Sequence, residues 1–264
     1  MGFDLASEYY DAMIDWSARI TREMPFYKTL FARYKVNSIL DCACASGRHA
    51  IAFAEQGFAV VGSDISEPML EQAQKIERRK RKINQSFDFA QGKEKVDVEF
   101  VYADFRKLTE YIPCQFDAVI CVGNSLVQLQ NEKEVLSTLR EMRNALNPNG
   151  ILIIQILNFK RLMKQDIAPM PLRTAKVKGK ELLFLRLYSF PTKQKARLNV
   201  ITLAKQQGKW EMNQHTTEMM LLTKPGLQKS LRLAGFRNLH FYGDFKFSPF
   251  KEQTSSDLIC VAQR

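Results

Sequence analysis

Between Ile39 and Ser66 the chain reads ILDCACASGRHAIAFAEQGFAVVGSDIS. Ala43, Ala45 and Gly47 are small residues between an apolar run and a helix-forming one, so a ligand can approach the backbone of a tight turn closely. The helix that follows offers unpaired N–H donors at its start, which suit an anionic or strongly polar group. Asp64 closes the next apolar run about 17 positions beyond Gly47, where dinucleotide-type folds place the carboxylate that accepts from ribose hydroxyls. Taken alone, the motif fits a nicotinamide enzyme or nothing more than a tight βα turn.

The elements that must hold this turn are legible by pattern. SILDC, FAVVGS, VEFVYA, FDAVICV and GILIIQIL follow one another from Val36 to Leu157, separated by connections or helical stretches. That alternation predicts a parallel sheet of βαβ units, and strands apolar at consecutive positions predict a sheet covered on both faces. Val135, Leu136, Leu139, Met142 and Leu146 recur at helical spacing, and Asn147-Pro148-Asn149-Gly150 predicts the stop. Gln85 to Lys95 is polar, contains Gly92 and reads as a loop. After Leu157, ELLFLRLYSF, ARLNVITLAK and KWEMNQHTTEMML are extended runs joined by PTKQK and QQGK, which predict an antiparallel insertion. Helical spacing returns at Leu227, Leu231 and Ala234, stops at Gly235, and gives way to two strands around RNLHFYG and SDLICVAQ. Met1 to Tyr34 reads as mostly helical.

Composition narrows the class. A chain of 264 residues with 45% hydrophobic content is long enough for one core plus an insertion. It shows no basic segment followed by an apolar leader and no apolar run of about 20 residues, so a cytoplasmic protein without membrane association is expected. Its five cysteines are an odd number without CxxC spacing and are expected to be reduced, mostly in the interior. His49, His215 and His240 are scattered, and no metal site is expected. The formal net charge of +11 is concentrated in Lys75 to Lys82 and in Lys176 to Lys209. Nucleic acid, an anionic surface and an acidic substrate all fit such a balance, as does a solvated helix end.

The residues resemble class I S-adenosylmethionine-dependent methyltransferases, and among these the glycine N-methyltransferase-like group. Asp41 to Gly47 (DCACASG) is similar to the first motif of that class, in a DxACxxG form. Phe116 to Ser125 (FDAVICVGNS), Asn158-Phe159 and Gly243-Asp244-Phe245-Lys246 are similar to later segments of the group, in the same order. The resemblance implies an α/β, Rossmann-like doubly wound sheet of seven strands, the last antiparallel, with an antiparallel β insertion. The expected units are an N-terminal helical segment (1–35), a cofactor core (36–160), an acceptor lid (161–222) and a C-terminal helix with two core strands (223–264). It further implies that Ala43, Ala45 and Gly47 lie against the methionine part of S-adenosylmethionine, with Tyr10 and Arg19, or alternatively Arg22, reaching it from the entrance helix. Asp64 would accept from the ribose hydroxyls and Ile65 pack on the adenine. Asp104 would accept from the adenine amino group unless it is an ordinary helix cap. Met69, Ala103, Phe105, Val122, Gly123 and Asn124 complete the implied cofactor site. Alanine at position 45 replaces the motif's usual glycine, and its methyl group is expected to strain the turn and weaken binding.

Methyl transfer from a sulfonium is an in-line displacement, so positioning in a dry site is the main task. Asn124 is the candidate that orients an amine lone pair, with turn stabilisation as its alternative role. Arg186 and Tyr188 are at alternate-face spacing in one strand and His215 is on a neighbouring strand. Arg186 is expected to clamp a carboxylate while Tyr188 or His215 orients the acceptor. The acceptor expected is therefore a small molecule with an amine and an acidic group. A nucleic-acid methyltransferase is the rival, but GNSL stands where base N-methyltransferases carry an Asn/Asp-Pro-Pro-Tyr segment. A nicotinamide dehydrogenase lacks its Tyr-xxx-Lys constellation here, and a non-catalytic cofactor binder is the remaining alternative.

Overall fold

The computed structural model describes residues 7–88 and 98–264. Two helices come first, α1 (Ser7–Met13) and α2 (Trp16–Tyr34), the second capped by Asp15, whose side chain accepts from Ala18 N–H. The core follows as β1 (Ser38–Cys42), α3 (Arg48–Ala54), β2 (Ala59–Asp64), α4 (Glu67–Asp88), β3 (Val98–Tyr102), α5 (Leu108–Tyr111), β4 (Phe116–Cys121), α6 (Glu132–Asn144) and β5 (Leu146–Leu157). Then come α7 (Phe159–Leu162), β6 (Ile167–Pro169), β7 (Arg173–Val177), β8 (Lys180–Ser189), β9 (Lys195–Gln206) and β10 (Lys209–Met220), and finally α8 (Lys224–Leu233), β11 (Arg237–Tyr242) and β12 (Asp257–Gln263). Helix α4 runs on to Asp88, past the start of the expected loop, and the rest of that loop lies outside the described residues.

Seven strands form one sheet in the order β11-β12-β5-β4-β1-β2-β3. The five strands β1 to β5 are parallel, while β12 runs antiparallel to β5 and β11 antiparallel to β12. Both faces are buried, and alternate residues divide between them. Leu40, Val119, Cys121, Leu152, Ile154 and Cys260 join one cluster with α6 and α8, whereas Ile39, Ala118, Ile120, Ile151, Ile153 and Ile259 join another with α2 and α3. That is why these strands read as unbroken apolar runs. The turn expected at Asn147 to Gly150 is drawn into β5 as an irregularity beside Phe116, with Asn149 at φ +67°.

The insertion is a second, antiparallel sheet in which β9 lies between β8 and β10, and the short β6 and β7 both pair with β8. It carries its own cluster, Leu182, Phe184, Val200 and Ala204, completed by Met13 from α1. The N-terminal helix and the insertion are thus joined by apolar contact. Of the five cysteines, all of them free, Cys42, Cys44, Cys121 and Cys260 are buried and Cys114 is exposed.

Candidate active site

At the carboxyl ends of β1, β2 and β4 the sheet opens into a cavity of about 1480 Å³, closed on the far side by α1, the start of α2 and the insertion. Ligands bind outside this end of the strands in open α/β sheets. The floor is the turn after β1. Ala43 (φ +55°), Ala45 (φ +49°) and Gly47 (φ +69°) all take the left-handed conformation. A Cβ on Gly47 would meet the Phe100 ring at 2.5 Å and Ala73 Cβ at 2.8 Å, so this glycine lets α3 pack on the sheet and does not itself line the cavity. Ala43 and Ala45 do line it.

Asp64, at the end of β2, accepts from Ala45 N–H (2.8 Å) and Ser66 N–H (2.9 Å) through different carboxylate oxygens. It therefore shapes the turn as well as facing the cavity, and each oxygen retains a lone pair. Burial raises its pKa, against the pull of these N–H groups. Asp41 lies behind it at 2% exposure with one carboxylate oxygen unpaired. Burial and the neighbouring Asp64 push its pKa up to about 7. Ile65 is 52% exposed, an apolar side chain left at the cavity edge. Met69, Ala103 and Phe105 line the same region. Asp104 does not: its carboxylate caps the next turn through Arg106 N–H (2.9 Å) and pairs with the Arg106 guanidinium at 2.6 Å.

The entrance helix supplies a buried charge network. Glu23, 1% exposed, accepts from Arg19 Nε (2.9 Å), Arg22 Nη2 (3.0 Å) and His49 Nε2 (2.9 Å). Burial alone would raise the Glu23 pKa, but His49 and Arg19 hold it down to about 2. Burial lowers the His49 pKa, so the ring is neutral and its Nε2–H donates. This network aims Arg19 at the turn after β4, where its Nη2 lies 4.0 Å from the Cβ position of Gly123. Of the two candidates, Arg19 is the inner one, since Arg22 has a side chain 58% exposed. On α1, Tyr10 faces the cavity, and Asp11 accepts from Ser46 Oγ (2.7 Å), Arg48 Nη2 (2.9 Å) and Gln72 Nε2 (3.0 Å), fixing the helix over the turn.

At the end of β4, Val122, Gly123 and Asn124 border the cavity, the last two at φ +76° and +69°. Gln155 on β5 accepts from Gly123 N–H (2.8 Å) and donates to Asp257 (2.6 Å). Asn124 Oδ1 accepts from Leu157 N–H (2.7 Å), and its side chain also bonds the Tyr188 hydroxyl. Its side chain is thus anchored in the turn, with Tyr188 held beside it on the cavity wall. Burial pushes the Tyr188 pKa up to about 12, opposed by Arg186 and Asn124. Arg186 and His215 both stand opposite Val200 in the register, on the face of the insertion that lines the cavity.

Sequence reasoning thus named fifteen residues that share this wall, and missed Asp11, Glu23, His49, Gln155, Arg173 and Asp257, of which all but Asp11 line it. Two signals were present: Glu23 stands four positions from Arg19 on one helix, and Gln155 interrupts the apolar run GILIIQIL. Residues 39–150 match a family model described as a methyltransferase domain.

The chain is similar to S-adenosylmethionine-dependent methyltransferases, glycine/sarcosine N-methyltransferases among them.

It is 34% identical to a glycine/sarcosine N-methyltransferase of Parasynechococcus marenigrum over 158 residues, 60% of this chain and 51% of that protein. A glycine/sarcosine N-methyltransferase of Aphanothece halophytica is 28% identical over 242 residues, 90% of this chain and 81% of the relative. The chain spans about half the length of the first two curated relatives it matches. Among solved structures, a sugar N-methyltransferase from Streptoalloteichus aligns with TM-score 0.72 at 17% identity, covering 100% of this chain and 94% of the other. An S-adenosylmethionine-dependent methyltransferase from Clostridium acetobutylicum aligns with TM-score 0.71 at 12% identity, covering 98% and 96%. These two show the seven-stranded methyltransferase fold. The residues of this site suit S-adenosylmethionine: a carboxylate at the β2 end, an exposed apolar side chain beside it and a half-buried arginine at the turn after β4.

Proposed function

We propose that the protein transfers a methyl group from S-adenosylmethionine to the nitrogen of a small amine that also carries an acidic group. The observation that carries this reading is the continuity of one cavity from Asp64 and Ala45 to Arg186, Tyr188 and His215 of the insertion. When bound, the cofactor supplies an electrophilic sulfonium methyl. The chain's own part is positional: Asp64 and Ile65 take the nucleoside, Arg19 the methionine carboxylate, and Arg186 the acidic group of the acceptor. Tyr188, protonated at neutral pH and fixed by Asn124, presents oxygen lone pairs to an amine N–H, which aims the nitrogen lone pair at the methyl carbon. The four units of the domain division follow function in this reading: core 36–160 for cofactor, insertion 161–222 for acceptor, with 1–35 and 223–264 closing the two ends.

The basic run on α4 supports this reading over nucleic acid, because Lys75, Lys80 and Arg81 are paired with Glu71, Glu55 and Glu77. The test is transfer from labelled cofactor into pooled small metabolites and into total RNA, repeated with Arg186→Ala. Label is expected in the small-molecule pool and at least tenfold lower in the variant. Label confined to RNA overturns the acceptor class, and full activity of Arg186→Ala overturns the clamp.

A further inference from the structure

The insertion half of the cavity carries more positive charge than a single carboxylate balances. Arg161 on α7 and Arg186 on β8 both line it, and neither forms an ion pair among the described residues. The carboxylates beside them are already engaged: Asp15 by Arg173 at 3.1 Å, and Glu218 by Arg197 at 2.9 Å and Lys195 at 3.2 Å. Arg173 also lines the cavity, and its register partner Phe184 is two residues from Arg186. The two arginines are therefore diagonal neighbours on one face, about 7–8 Å apart at Cβ, within reach of one shared anion.

Their nitrogens show what is missing. The Nε–H groups of Arg173 and Arg186 are both buried without an acceptor, as is the Thr217 hydroxyl on β10. Thr217 stands opposite Leu198, which stands opposite Tyr188, so it belongs to the next row of the same face. A guanidinium Nε–H can only donate, and buried polar groups left unpaired are uncommon in folded proteins. One carboxylate on Arg186 would leave the Arg173 Nε–H unmet and the Arg161 charge unbalanced.

We propose that the acceptor bears two negative charges besides its amine, as a dicarboxylate or as a phosphomonoester, held between Arg173 and Arg186 with Arg161 at the mouth. This rests on the methyltransferase reading and specifies the acceptor it leaves open. Arg173 thereby becomes a specificity residue, tied to the entrance helix by Asp15, so that occupancy of the anion site and closure of α2 against the insertion reinforce one another.

Calorimetric titration of the full chain saturated with S-adenosylhomocysteine, at about 0.15 M salt to screen diffuse attraction, tests it. Three probes are compared: glycine, aspartate and 2-aminoethyl phosphate. At least one dianionic probe is expected to bind ten times or more tighter than glycine, and the preferred one names the oxyanion. Arg173→Gln is expected to remove most of that preference while leaving S-adenosylhomocysteine affinity within about threefold. Arg161→Gln, at an exposed position, is expected to reduce it and carries the test should the Arg173 variant not fold. Equal affinity for all three probes, or a preference that survives both substitutions, overturns the proposal alone. Failure of the wild-type chain to bind S-adenosylhomocysteine overturns the methyltransferase reading and this proposal with it.

Discussion

Ala45 holds φ +49° in a turn where the motif it resembles has glycine, and the left-handed conformation costs an L-residue about 1–2 kcal/mol. Asp64 fixes the turn by accepting from Ala45 N–H at 2.8 Å, so the strain is expected to be common to the free and bound protein. That moves the expected consequence of the alanine from affinity to stability. Ala45→Gly relieves the strain but loses about 0.5–1 kcal/mol to unfolded-chain entropy. Its thermal midpoint is expected to rise by about 1–4 °C, with the S-adenosylmethionine Kd changed less than threefold. A tighter Kd with no gain in midpoint would show that the free turn relaxes. Asp41 gives a pH prediction of definite sign. A carboxyl raised to about 7 in the folded protein contributes stability that is complete below its ordinary 3.8 and lost as pH rises through 7. Asp41→Asn keeps an oxygen for Ala50 N–H, so it is expected to match wild type near pH 4 and to exceed it in urea melts at pH 8. Glu23, held down to about 2, acts in the opposite sense: its contribution is present above 4.5 and falls away toward 2. The motif residues were legible because small residues and a strand-end carboxylate have few other uses together. Asp41 lay within the motif, yet its burial against Asp64 depends on a neighbouring strand that local sequence does not specify.

Helix α1 is held by one polar side chain in addition to its apolar contacts with the insertion. Asp11 accepts from Ser46, Arg48 and Gln72, which lie on the turn, α3 and α4 respectively. Asp11→Ala removes charge-assisted bonds worth about 1–3 kcal/mol together at a half-buried site. Amide exchange over Ser7–Met13 is expected to accelerate about tenfold while β4 and β5 keep their protection. Unchanged exchange would mean that the apolar contacts of Met13 hold the helix alone. The central strands were legible because both faces are buried, leaving no alternating polar positions to confuse with a helix. β6 and β7 escaped notice, being three and five residues long with mostly exposed or half-buried positions. The Asp11 network was invisible for another reason: its nearest partner in sequence is 35 positions away.

At the scale of the whole molecule, the parallel core was legible in the alternation of apolar runs, while the order of its strands and the packing of the insertion on α1 depend on long-range contacts. Among the described residues no helix is long and apolar enough to cross a membrane. On α4, Lys75, Lys80 and Arg81 are each paired with a carboxylate, which limits the reach of this basic run as a phosphate-binding surface. Activity on a small acceptor is accordingly expected to fall less than threefold between 0.05 and 0.2 M salt, where multiple phosphate contacts would lose about 10³-fold or more. One feature of the cavity reaches further than catalysis. Its wall is drawn from nearly the full length of the chain, from Tyr10 on the first helix to Asp257 at the start of the last strand. No contiguous fragment can assemble it, so a ligand bound there discriminates the complete fold from every partly folded form. Occupancy thereby makes unfolding more nearly all-or-none, fusing the N-terminal helix, the seven-stranded sheet and the insertion into one cooperative unit that the empty chain need not be.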